Sequence, residues 1–239
     1  MLTTILFDLD GTLLPMDQDV FIHDYFQRLA KRVAPLGYEP KALIDTVWAG
    51  TAAMVKNDGS RTNEEAFWQS FAARYGTEKL CDRPVFDDFY RTDFQQVAQV
   101  CGRDPDARAA VEALRALGLR LVLATNPIFP QAATHSRVRW AGLEPGMFAY
   151  ITTYENSTHC KPNPAYYADI LRNLGLRGGE CLMVGNDVGE DMVAETLGMH
   201  VFLLTGCLIN RDGADISRWP HGGFEALCSH VHALLAQKT

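Results

Sequence analysis

The feature that most restricts how this chain can fold is a repeated change of texture. Short apolar runs recur at 3–7, Leu119–Ala124, Tyr150–Tyr154, Cys181–Val184 and His200–Leu204. Each has the length and character of a buried strand. Helical patterns lie between the later runs. One opens at Asp104-Pro105, turns Val111 and Leu114 inward and closes at Gly118. Another opens at Asn163-Pro164, carries Tyr167, Ile170, Leu171 and Leu174, and closes at Gly175. Proline is tolerated in a first helical turn because that N–H has no intrahelical partner, and glycine supplies the backbone that ends a helix. Strand–helix–strand alternation implies a parallel sheet between two helical layers, an α/β core of Rossmann-like type.

Residues 16–103 break this rhythm. Ile22, Phe26, Leu29 and Val33 fall on one face of a helix, and a second helix starting at Pro40 carries Leu43, Val47 and Met54. A third opens with the capping box Thr62-x-x-Glu65, stacks Phe67, Phe71 and Tyr75, and stops at Gly76. A fourth carries Phe86, Tyr90 and Val97. The expected organisation is therefore a core built from 1–15 and 104–239, interrupted by a four-helix subdomain at 16–103. The aromatic faces of that subdomain read as its own core.

At 239 residues, 47% apolar and 21% charged, the chain can bury a sizeable core. A formal net charge of −7 argues against a nucleic-acid partner, which demands basic surface. It leaves room for a small anionic substrate, because one cation and one lysine make a local positive site. The six cysteines include no Cys-x-x-Cys pair and read as free thiols. Cys228, His230 and His232 lie in a C-terminal helical pattern and lack the paired spacing of a zinc site. Met1–Phe7 is too short for a signal-peptide core, and no apolar stretch reaches the length of a membrane span. These features lead to the expectation of a cytoplasmic protein without a membrane partner.

Chemistry concentrates where the first strand ends, in Asp8-Leu9-Asp10-Gly11-Thr12. Residues two apart in a strand point the same way, so both carboxylates can face one cavity at the sheet's C-terminal edge. Gly11 then permits a sharp turn. With this run the chain resembles the haloacid dehalogenase superfamily, whose first motif is Asp-x-Asp-Gly-Thr. The resemblance implies that Asp8 is a nucleophile and Asp10 a general acid/base. It also directs attention to three later motifs in order. Thr125 and Asn126, closing the second strand, are implied phosphate ligands; Lys161, ahead of a helix, is an implied phosphate-binding cation; Gly185-Asn186-Asp187-Val188-Gly189-Glu190-Asp191 is an implied acidic metal motif. Many family members have Asp where this chain has Asn186. Asp187 is therefore taken as the direct carboxylate ligand, with Asn186 or Asp191 as a second or water-mediated contact.

Oxygen donors without clustered His or Cys suit a hard cation, and phosphate chemistry suits Mg²⁺. The implied ligands are the Asp8 and Asp187 carboxylates and the Asp10 backbone carbonyl. The implied activity is a phosphatase acting on a small phosphorylated metabolite through a phosphoaspartate on Asp8. Asp10 separates this reading from carbon–halogen cleavage, since halide leaves without a proton. The helical insert resembles the family's first class of mobile cap, with hinges near Pro15–Asp17 and Cys101–Asp104. His23, Lys56 and Arg61 are its polar candidates for substrate contact, or else solvated surface. A phosphomutase of the same family and a non-catalytic phosphate-binding regulatory protein are the alternatives.

Overall fold

Six parallel strands form one sheet in the order β3-β2-β1-β4-β5-β6. They are β1 (Thr4–Phe7), β2 (Arg120–Leu123), β3 (Tyr150–Ile151), β4 (Cys181–Gly185), β5 (His200–Leu204) and β6 (His221–Gly222). The computed structural model describes residues 1–237, so Lys238 and Thr239 of the expected core segment lie outside the described residues. β1 is central, with Phe7 in register with Leu123 on one side and Val184 on the other. Strand order reverses beside β1, which pairs in parallel with β2 on one side and with β4, distant in sequence, on the other. That reversal is the topological switch point at which open α/β sheets bind ligands.

Period-two alternation divides the two faces. Ile5 and Phe7 pack with Leu121, Leu123, Val111 and Leu114 on one side. Leu6 packs with Val122, Met183, Tyr166 and Ile170 on the other. The flanking helices are α5 (Pro105–Ala116), α6 (Gln131–Trp140), α7 (Pro164–Leu174) and α8 (Phe224–Ala236), following α1 to α4 of the insert. Asp104 and Asn163 cap α5 and α7 through their side chains, as their positions before proline suggested. Helix α6 carries little apolar asymmetry and has no side-chain cap, and the sequence pattern did not reveal it. β6 was also missed, being only two residues long.

Between β1 and β2 stand α1 (Gln18–Val33), α2 (Pro40–Val55), α3 (Asn63–Tyr75) and α4 (Arg83–Arg91). The expected fourth helix is broken. After Arg91 the backbone at Thr92 leaves helical geometry, with φ −118° and ψ −87°, and Asp93–Val100 continues as 3₁₀ turns. Phe86 and Val97 consequently sit on separate pieces, yet both enter one core with Phe21, Phe71, Phe89 and Phe94. The two connections to the sheet run side by side. Gly102 donates its N–H to the Pro15 carbonyl at 2.7 Å, and Met16 bridges Cys101.

Candidate active site

Asp8 follows the last residue of β1, and its N–H reaches the Val184 carbonyl at 2.9 Å, extending the pairing with β4. The chain then turns at Gly11, whose φ is +81°. A side chain there would be strained by that backbone and would also collide with Asn186. Gly11 is thus required by its turn and by its neighbour.

The expected residues converge. Asp8, Asp10, Thr125, Asn126, Asn186, Asp187 and Asp191 line one cavity of about 160 Å³ beyond the C-terminal ends of the strands. Lys161 lies beneath it, 1% exposed, with Nζ donating to Asp8 Oδ1 at 2.8 Å and Asp191 Oδ1 at 2.7 Å. Burial alone would lower the pKa of this lysine, but Asp191 and Asp8 outweigh it and raise it well above the ordinary value. Lys161 is therefore a fixed positive charge under the Asp8 carboxylate.

The acidic loop divides its work. Asp191 spends both oxygens inside the protein, Oδ1 on Lys161 and Oδ2 on the Asp187 N–H at 3.0 Å. Asn186 is equally committed: its Nδ2 donates to the Cys207 carbonyl at 2.6 Å, and its Oδ1 accepts from the Thr12 hydroxyl at 2.9 Å. Asp187 Oδ1 accepts from the N–H groups of Gly189 and Glu190 at 2.8 and 3.0 Å, whereas Oδ2 has the Arg211 guanidinium 3.5 Å away. On the phosphate side, the Thr125 carbonyl is anchored by the hydroxyls of Thr152 and Tyr166 at 2.7 and 2.8 Å. Asn126 Nδ2 reaches Glu190 at 3.3 Å.

Two contributors, Arg137 and Arg211, were not found from sequence, and Glu190 was read only as part of its motif. Arg137, on the unforeseen helix α6, is 1% exposed and ion-pairs with Asp10 Oδ2 while its guanidinium lies 4.5 Å over the Phe129 ring. Nothing marks it in sequence, because it is one of several basic residues in a weakly patterned helix. Arg211 and Glu190 also line the cavity. Arg211 lies in the loop between β5 and β6, where no motif points to it. Asp10 itself is pushed above the ordinary carboxylate pKa by burial; Arg137 opposes that shift and Asp8 reinforces it. Its Oδ1 is buried with no hydrogen-bond partner, which disfavours the ionised form. By contrast, His23, Lys56 and Arg61 are exposed and line no part of this cavity. The insert reaches the site instead through Gln18, Phe21 and Ile22.

Among the described residues, no three His, Cys, Asp or Glu side chains are placed to hold a metal by themselves. A magnesium site does not need them. Mg²⁺ is commonly held by one or two carboxylates, with substrate phosphate and water completing its shell. Asp8 and Asp187 supply two such carboxylates on one cavity wall, so the donor set fits that ion.

A family model for haloacid dehalogenase-like hydrolases matches residues 2–194. The phosphoglycolate phosphatase of Yersinia pestis is 29% identical over 203 residues, covering 84% of this chain and 80% of that protein. Among solved structures, the HAD phosphatase from Thermococcus onnurineus superposes with a TM-score of 0.57 at 19% identity, covering 96% and 98% of the two chains. The L-2-haloacid dehalogenase PA0810 superposes with a TM-score of 0.59 at 21% identity, covering 98% and 100%. At such identities these superpositions speak for the fold alone. No helix among the described residues is long and apolar enough to cross a membrane.

Proposed function

The chain belongs to the haloacid dehalogenase-like hydrolases, and from that premise we propose that it is a Mg²⁺-dependent phosphatase of small phosphomonoesters with Asp8 as its nucleophile. The observation that carries this reading is the placement of Asp8 between a buried lysine at 2.8 Å and a second acid, Asp10, on the same cavity wall. Attack on a phosphate brings anion to anion, so charge compensation and positioning dominate the chemistry.

Asp8 attacks phosphorus in line with the bond to the alcohol oxygen. As that bond breaks, Asp10 gives its proton to the departing oxygen, and a phosphoaspartate remains on Asp8. The ionised Asp10 then takes a proton from water, the resulting hydroxide attacks phosphorus, and the Asp8–phosphorus bond breaks. Alcohol and inorganic phosphate are the products, and both aspartates return to their starting states. Burial of Asp10 supports its first role, because it favours the neutral acid. Lys161 holds the negative charge of nucleophile and phosphoryl oxygens together, while Thr125 and Asn126 offer donors on the opposite wall.

Mg²⁺ would be held by the Asp8 and Asp187 carboxylates and the Asp10 carbonyl. Bound there, it would offset charge on the phosphoryl oxygens. Asp191 and Asn186 support the site from behind, since their polar atoms are already engaged. The helices at 16–103 act as a cap over the cavity, hinged at the paired connections near Pro15 and Gly102.

The test is phosphate release from a panel of phosphorylated metabolites with Mg²⁺, run beside Asp8→Asn. Asp8→Asn is expected to lower kcat on the order of 10⁴-fold or more. Undiminished turnover in that variant would remove Asp8 from the mechanism. A requirement for a bisphosphate activator, without net phosphate release, would move the assignment to a phosphomutase.

A further inference from the structure

The catalytic cavity has an apolar neighbour. Ile22, Ile128 and Phe129 line the catalytic cavity, and the same three residues line a second cavity of about 100 Å³. That chamber lies between the insert and the 128–154 segment of the sheet domain, and rings and aliphatic groups wall most of it, among them Phe26, Val47, Trp48, Phe67 and Phe86. Among the described residues, no charged side chain lines it. The hydroxyls of Tyr25 and Tyr90, which also line it, are hydrogen-bonded to each other at 2.9 Å. Trp68 and Tyr154 line it too, and Trp68 Nε1 is buried without a hydrogen bond of normal geometry.

Such a chamber offers almost nothing to the hydroxyls of a sugar. Burying those groups without partners would cost binding free energy. Hydrocarbon has the opposite preference. An engineered apolar cavity of about 150 Å³ stays dry and takes up benzene, so this chamber is of a size to receive most of one ring or a compact branched chain. The polar residues first considered for substrate contact, Lys56 and Arg61, flank a separate surface depression.

We propose that the substrate is a phosphate monoester whose alcohol carries an aromatic or compact branched hydrocarbon group, seated in the chamber beyond Ile22 and Phe129. This rests on the phosphatase reading above and names its substrate class. Trp68 Nε1, buried without a hydrogen bond of normal geometry, further accommodates one acceptor atom on that group. Polyhydroxylated sugar phosphates and phosphoglycolate are the substrates this geometry disfavours.

The experiment compares 2-phenylethyl phosphate with ethyl phosphate, glucose 6-phosphate and phosphoglycolate, all with Mg²⁺. Leaving-group chemistry is close in the first two, so a difference between them reports on the chamber. The expected result is a kcat/KM for 2-phenylethyl phosphate roughly 10–100-fold above ethyl phosphate, the range for burying one ring. Thr51, half-buried on the chamber wall, gives the matching variant: Thr51→Phe is expected to shrink the ratio between those two substrates by about 10-fold. Calorimetric titration of Asp8→Asn with 2-phenylethylphosphonate and ethylphosphonate provides a second readout that needs no turnover. The aromatic phosphonate is expected to bind about 10-fold tighter or better. Equal phosphonate affinities, or faster hydrolysis of glucose 6-phosphate or phosphoglycolate, would overturn the substrate class and leave the phosphatase intact. Absence of any hydrolysis, with selective phosphonate binding retained, would instead count against the phosphatase.

Discussion

The sheet edge and the helical insert each have a buried interior, but they build it by opposite physical means. At the sheet edge, Lys161, Arg137, Asp191, Asp187 and Asp8 are each less than 10% exposed, and each is held by a specific partner. In the insert, rings pack edge to face: Phe71 meets Trp68 at 5.2 Å and Phe86 at 5.5 Å, with no charge between them. A buried charge is tolerable only while its partner remains, whereas a ring needs only volume and contact. The difference teaches where this molecule is specified by direction and where by shape. Substitutions at the sheet edge should damage chemistry and stability together. Substitutions in the aromatic core away from the chamber should damage stability alone.

The severest way to break the first region is Lys161→Met. It would leave Asp8 and Asp191 buried without their shared cation. A loss of about 3–5 kcal/mol in urea unfolding is expected, with activity down by more than about 10³-fold. The stability deficit should depend on pH in a definite direction. Burial pushes Asp191 up, and Lys161 is what pulls it back. Without Lys161 its folded pKa lies further above the unfolded value, so the folded state binds the proton more readily. The deficit should therefore grow as pH rises through neutrality and shrink as pH falls towards 5. A deficit independent of pH would mean that Lys161 contributes packing and not charge.

The matched perturbation in the second region is Phe71→Ala, at a fully buried ring. Truncation should cost about 3–5 kcal/mol of stability and leave kcat of the folded enzyme within about threefold, because Phe71 lines neither cavity. A kcat loss as large as that of a sheet-edge variant would show that the insert's core sets the catalytic geometry directly, and the contrast between the regions would fail.

A smaller effect is expected from Arg137→Met, which keeps the packing over Phe129 and removes the ion pair with Asp10. Asp10 would lose the group that fixes its carboxyl. kcat should fall by about 10²-fold, with partial recovery in Arg137→Lys, which restores charge but not the planar fork. Equal kcat in wild type and Arg137→Met would assign Arg137 to structure only.

Legibility in the sequence followed the same division. Elements with strong periodicity and explicit stops were readable: β1 and its acidic end, α5 between Asp104-Pro105 and Gly118, α7 between Asn163-Pro164 and Gly175, and the capping box of α3. The motif residues lining the cavity were readable because each stands close after the end of a strand, where the chain itself aims side chains at the sheet's edge. What escaped was whatever depends on tertiary proximity. Arg137 meets Asp10 across 127 positions, and no local pattern encodes that pairing. The break at Thr92 escaped because apolar spacing runs straight across it. The polar candidates of the insert were read from residue type alone, and residue type does not say which way a helix faces. The chamber behind Phe129 was likewise invisible, since a ring that fills a core and a ring that walls a cavity look identical in sequence.

The least drastic change sharpens the contrast most, because it alters one atom. Asn186 occupies a position where a carboxylate could ligate metal, yet its amide bridges Cys207 and Thr12. Asn186→Asp replaces an N–H donor by an oxygen facing the Cys207 carbonyl at 2.6 Å in the native arrangement. One hydrogen bond is lost, and two acceptors are brought together in a buried setting. The expected cost is about 1–3 kcal/mol in urea unfolding. The Thr12 hydroxyl can still donate to the remaining oxygen, so the turn at Gly11 should survive and the protein should fold. If Asn186 serves the scaffold, the Mg²⁺ concentration for half-maximal activity should change by less than about threefold, a shift worth under about 0.7 kcal/mol. If instead the carboxylate tightened Mg²⁺ dependence tenfold and raised kcat, position 186 would be part of the metal shell. The line drawn here between groups that face the cavity and groups that brace it would then have to be moved outward by one residue.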